Sequence, residues 1–121
     1  MDPSINRHQR AARATKPLDA ARLDELALTY VARFSTTGVK LERYLARKLK
    51  ERGWEGNQEP DLHALVGRLC ELGYVDDAAY AAAKAGSLLR RGYGPRRVHQ
   101  ALGEAGIDPD ITREVQGGEG G

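Results

Sequence analysis

The sequence predicts an all-α fold, and three observations carry that prediction. Alanine and leucine recur along the whole chain, while Phe34 is the only phenylalanine and Trp54 the only tryptophan. That composition suits closely packed helices better than sheets. No run alternates β-branched and polar residues as a half-buried strand would, and the apolar residues instead repeat at i, i+3, i+4 and i+7, the spacing of one buried helical face. At 121 residues the chain is long enough for one modest core but short for two independent folding units.

The elements follow in order. Residues 1–18 mix Arg, Ala, Asn, Gln and Pro without periodicity and read as a disordered basic N-terminal arm. Asp19 is placed as the N-cap of a first helix whose apolar face is Leu23, Leu26, Ala27, Tyr30, Val31 and Phe34. A Ser-Thr-Thr-Gly turn follows, and Thr37 is placed to cap a second helix that buries Leu41, Tyr44, Leu45 and Leu49. The opposite face of that helix carries Lys40, Arg43, Arg47 and Lys50 at spacings of three and four, a continuous cationic ridge. A third helix after Pro60 buries Leu62, Leu65, Val66 and Leu69. A fourth starts at Asp76-Asp77, and a fifth at Gly94-Pro95, where proline fits the first helical position. The fifth buries Val98, Ala101, Leu102 and Ala105. A short sixth helix after Asp108-Pro109 carries Ile111 and Val115, before a flexible Gly-rich tail over residues 117–121.

Three helix ends share one pattern. Leu49 precedes Gly53-Trp54, Leu69 precedes Gly73-Tyr74, and Leu102 precedes Gly106-Ile107. Each reads as a Schellman cap, with glycine in the left-handed conformation and a flanking apolar pair closing over it. A shift of 53 residues superposes Leu45, Leu49, Gly53 and Trp54 on Val98, Leu102, Gly106 and Ile107. Two copies of a helical unit are expected, a first repeat over 19–73 and a second over 74–116. In this frame the adjacent carboxylates of "LGYVDDAAYA" are helix-start residues. Asp76 is placed to cap the fourth helix, and Asp77 to oppose the positive end of its macrodipole.

The net charge is only +2, but the charges are banded. Arg7, Arg10, Arg13 and Lys16, then Lys40 to Arg52, then Lys84 to Arg97 are basic, with an acidic stretch from Glu55 to Asp77 between the last two. Basic bands of this kind suit nucleic acid or an acidic protein face, and a merely solvated surface is the alternative. Arg90, Arg91, Arg96 and Arg97 bracket a tight turn related to the first ridge by the repeat. That repetition favours a binding surface formed by Lys40, Arg43, Arg47, Lys50 and these four arginines.

Catalytic chemistry finds little support. His8, His63 and His99 show no i, i+4 pairing of the zinc-binding kind, and all three read as surface residues. Cys70 flanks the apolar face of the third helix and reads as a small core residue. "RRGYGPRR" lacks the Walker pattern and a preceding strand. No enzyme activity, metal site or cofactor is expected. With no secretory h-region and no bilayer-spanning stretch, the expectation is a cytoplasmic protein without membrane attachment.

These residues carry a resemblance. "LGYVDDAAYA" followed by "GYGPRRVHQALGEAGI" closely resembles the signature of the RecX regulatory proteins, and "LALTYVARFSTTGVKLERYLARKLKERGW" resembles the unit preceding it, so that the match runs from about residue 22 to residue 116. The resemblance implies tandem three-helix repeats in an elongated, curved array. It also implies an inhibitor that binds in the groove of the RecA filament on DNA, limits its extension or promotes its disassembly, and so damps ATP hydrolysis, strand exchange and SOS co-protease activity; a monomer is expected. Weak direct DNA binding is expected beside RecA; the alternative readings are a basic helical DNA-binding module that hinders RecA only by occupying DNA, and an inactive truncated fragment. Two departures stand out. Members of the family typically carry a third repeat, which this chain is expected to lack. Lys40 also stands at the N3 position of the second helix, where members commonly have a glutamate that completes a capping box.

Overall fold

A computed structural model describes residues 16–120, with side chains described as far as Gly117. Among these residues the secondary structure is six α-helices: α1 Ala20–Arg33, α2 Gly38–Arg52, α3 Leu62–Glu71, α4 Asp77–Arg90, α5 Pro95–Glu104 and α6 Pro109–Gly120. The first fifteen residues of the expected arm, His8 among them, lie outside the described region.

The helix starts follow from the sequence. Asp19, Thr37, Asp61 and Asp76 each accept a hydrogen bond from the backbone N–H three residues on, at 2.8, 3.1, 3.0 and 3.0 Å. Each bond satisfies one of the free N–H groups of a first turn. Gly94 makes no side-chain cap, and Pro95 begins α5 in its place. The helix ends divide into two kinds. At Gly73 and Gly106 the next residue's N–H reaches back to the carbonyl of Leu69 (2.9 Å) and Leu102 (3.0 Å), the expected Schellman arrangement. Gly92 makes a third such end, Tyr93 N–H donating to Leu88 O at 3.0 Å; Leu88, Gly92 and Tyr93 share the Leu-to-Gly spacing but are not among the three predicted ends.

Gly53 departs from the expectation. Its φ is 83° but its ψ is 172°, so the chain leaves α2 extended instead of folding back over it. Its carbonyl accepts from Leu18 N–H at 2.8 Å, and Leu18 O accepts from Glu55 N–H at 2.9 Å, an isolated parallel bridge between Leu18 and Trp54. Leu18 is completely buried, so the expected arm does not extend through it. The cause is cooperative: the bridge satisfies the backbone groups on both sides and seats a leucine in the core. Phe34, expected on the buried face of α1, is that helix's C-cap in extended conformation and is 51% exposed. At the other end of the chain, α6 continues to Gly120 where a tail from residue 117 was expected.

The buried side chains form two clusters. Leu18, Leu23, Leu41, Leu45, Leu65, Val66, Leu69 and Val75 lie among α1, α2 and α3. Ala81, Ala85, Leu88, Val98, Leu102 and Ile107 lie among α4, α5 and α6. Alanine dominates where α4 meets its partners, so those helices approach closely. Large-to-small changes at leucines such as Leu45 or Leu102 carry the usual cost of a buried cavity, about 2–5 kcal/mol.

Candidate functional site: a cationic groove between two helical groups

The groove begins where the first turn of α2 meets the second cluster. Thr37 Oγ1, fully buried, accepts from Lys40 N–H and donates to Ala105 O at 2.6 Å. Asp77 Oδ1 accepts from Gly38 N–H at 2.9 Å. Arg43 donates to Glu104 O at 3.0 Å. Gly106, at φ 78°, lies so close to Val39 that an added Cβ would overlap its side chain. The two terminal carbonyls of α5 are thus capped by α2, and the first N–H of α2 is capped by α4.

Below that junction a groove of about 400 Å³ opens between the helices. Its α2 wall presents Lys40, Arg43, Tyr44 and Arg47, with Tyr30 of α1 behind them. Tyr80 and Lys84 of α4 and Arg97, Ala101 and Glu104 of α5 form the rest. Five cations therefore face one opening whose lining includes a single acid, Glu104. Three tyrosines share it. Tyr30 and Tyr44 stack with ring centroids 4.2 Å apart, and Lys40 Nζ lies 5.3 Å above the Tyr80 ring and 3.4 Å from its hydroxyl. The Arg47–Glu51 pair is long, at 3.9 Å, and exposed, so it holds the guanidinium only weakly.

The predicted binding residues divide between the groove and the outside. Lys40, Arg43, Arg47 and Arg97 come together in it, whereas Lys50, Arg90, Arg91 and Arg96 are exposed outside its lining. Arg91 instead lies 5.4 Å from the Tyr93 ring centroid. Lys84 and the tyrosines join the groove although they are not among the eight predicted binding residues. Tyr30 and Tyr44 fall on the apolar faces of their helices, and Lys84, though it opens a basic band, sits in an alanine run typical of packing. The available signal was the spacing of Asp77, Tyr80 and Lys84, one stripe of α4.

The other candidates resolve plainly. Cys70, expected in the core, is exposed. Partial burial of its thiol, then the Asp77 and Glu71 carboxylates, pushes its pKa up, so at neutral pH it is held as the poorly nucleophilic thiol. His63 lies on the surface 3.6 Å from Glu42, and His99 is exposed. Among the described residues no cluster of His, Cys, Asp or Glu could hold a metal ion. No described helix is long and apolar enough to cross a membrane.

Two three-helix groups meeting at a cationic, tyrosine-lined groove define an all-α helical-repeat protein with an anion-attracting cleft. Residues 76–115 match the family described as RecX, second three-helix domain. The chain is 30% identical over 109 residues to the regulatory protein RecX of Myxococcus xanthus, covering 86% of this chain and 58% of that protein. It is 36% identical over 89 residues to the regulatory protein RecX of Thermus thermophilus, covering 74% and 59%. To that of Escherichia coli it is 32% identical over 100 residues, covering 78% and 59%. The chain belongs to the RecX family. It spans under three fifths of the length of these relatives. No solved structure matches it.

Proposed function

We propose that this chain regulates the RecA recombinase by binding the RecA–DNA filament and limiting its extension, with no chemistry of its own. The observation that carries the reading is the convergence of Lys40, Arg43, Arg47, Lys84 and Arg97 on one groove between two helical groups. A cleft lined by one sign of charge focuses its field on an anionic partner. Stacked helical units present the extended concave surfaces on which such partners dock. The groove cations meet an acidic RecA surface or the DNA phosphates that the filament exposes. Inhibition of ATP hydrolysis, strand exchange and SOS co-protease activity then follows from occupancy. The protein acts in the cytoplasm, where the filament is.

The test is ATP hydrolysis by the host's RecA on single-stranded DNA, with this protein titrated below one molecule per RecA subunit. Inhibition at such ratios, without tight binding to bare DNA at the same salt, is the expected result. Undiminished hydrolysis from a folded sample refutes the reading.

A second reading rests on the tyrosines. Tyr30, Tyr44 and Tyr80 line the same groove as the cations, the pairing of stacking faces with positive charge that holds single strands. In that case the protein hinders RecA by occupying DNA alone. Binding then proceeds without RecA, and log K falls with log salt by about 0.7 for each phosphate contacted.

A further inference from the structure

The contacts at the start of α2 do more than close a core, because the same helical stripes run on into the groove. From Thr37, the positions at i+3 and i+7 are Lys40 and Tyr44. From Asp77 they are Tyr80 and Lys84. Counting back from Ala105, Ala101 and Arg97 lie one and two turns earlier. Residues at these spacings share one face of a helix, and all six line the groove. Each wall of the groove therefore starts at a residue of the junction.

The bonds there are reciprocal and well matched. The Thr37 hydroxyl has one proton, which goes to Ala105 O at 2.6 Å, and its lone pair receives Lys40 N–H. The carbonyl end of α5 is directed at the N-terminus of α2, and the Asp77 carboxylate sits at that same N-terminus. Both arrangements set negative against the positive end of the α2 macrodipole. The first turn of α2 contains no acid of its own, so Asp77 supplies from another helix the charge that Lys40 withholds at N3.

From this juxtaposition we infer that Thr37 and Asp77 are positioning residues: together they clasp α2 to α4 and α5 and hold the walls of the cationic groove at one spacing. Neither reaches a ligand. They act through Lys40, Tyr80, Lys84 and Arg97, whose separation they set. The inference deepens the proposed function, and its functional consequence rests on the groove being the binding face.

The test separates the two. Spin labels on cysteines introduced at Ala46 of α2 and His99 of α5, both exposed, in a full-length Cys70→Ser background, report the spacing of the walls. Trp54 fluorescence and helical circular dichroism check folding. Thr37→Val and Asp77→Ala are expected to shift or broaden a narrow distance distribution. Thr37→Ser and Asp77→Asn, which retain the hydroxyl and the acceptor oxygen, are expected to preserve it. The midpoint for RecA inhibition should rise about tenfold in the first pair and return in the second, the effect of losing roughly one buried hydrogen bond. If Thr37→Val fails to fold, Asp77→Ala with its asparagine control carries the test. Unaltered distances in the folded loss variants overturn the clasp, whatever inhibition does. Altered distances with full inhibition uphold the clasp and count against the groove as the binding face.

Discussion

Gly106 shows how much one residue without a side chain can decide. It holds a left-handed φ of 78° and also touches Val39 of α2, whereas Gly73 holds a φ of 86° with nothing within 4 Å of an added Cβ. The pair separates two costs that a single substitution would mix. Gly73→Ala should lose only the conformational term, about 1–2 kcal/mol. Gly106→Ala should lose that and a further 1–3 kcal/mol for the overlap with Val39. Urea unfolding of the two variants checks the difference, and equal losses would mean that α2 yields to the added methyl group freely. The left-handed turn was legible from the Leu-to-Gly spacing. The contact was not, because Val39 and Gly106 are far apart in sequence and only the docking of the two groups brings them together.

At the scale of elements, the adjacent aspartates of α4 divide their work between two helices. Asp76 accepts from Ala79 N–H in its own first turn, and Asp77 accepts from Gly38 N–H at the start of α2. Asp76→Ala should therefore cost about 1 kcal/mol as a lost N-cap. Faster amide exchange should be confined to the first turn of α4, with Gly38 still protected. Exchange measured residue by residue checks this, and spreading of the effect into α2 would contradict the division. The N-cap role of Asp76 was readable in the sequence, since a capping bond spans three residues. The second role of Asp77 spans thirty-nine. The repeat register likewise has limits: Arg43 and Arg96 correspond across the 53-residue shift, yet Arg43 lines the groove and Arg96 does not. Equivalent positions on α2 and α5 look in different directions because the two helices meet the junction by opposite ends.

For the molecule as a whole, the groove cations differ in what their loss would do. Arg43 donates across the junction to Glu104 O, while the ion pair of Arg47 with Glu51 and its cation–π contact with Tyr44 both stay within α2. On the proposed function, Arg47→Glu and Lys84→Glu should each weaken RecA inhibition, and each should leave stability within about 0.5 kcal/mol, as surface changes do. Arg43→Glu should lower both, since it removes a cap from α5 and sets a carboxylate beside that helix's carbonyl end. Thermal melts beside the inhibition titration check the contrast. Full inhibition by Arg47→Glu and Lys84→Glu together would remove the groove from the binding surface.

The helices, most of their caps and the cationic character of α2 are legible in the sequence, because these depend on residues three to seven positions apart. The sequence also carries the family resemblance. Long-range packing seats Leu18 in the core, draws Gly53 out of its helix in extended conformation, and leaves Cys70 and Phe34 exposed. It decides, too, which cations face one another: Lys84 and three tyrosines enter the groove, while Lys50, Arg90, Arg91 and Arg96 remain outside it. The physical reason is shared. A helix periodicity states which residues lie on one face, but what that face meets is set by the crossing of helices, and here by a few bonds between residues distant in the chain.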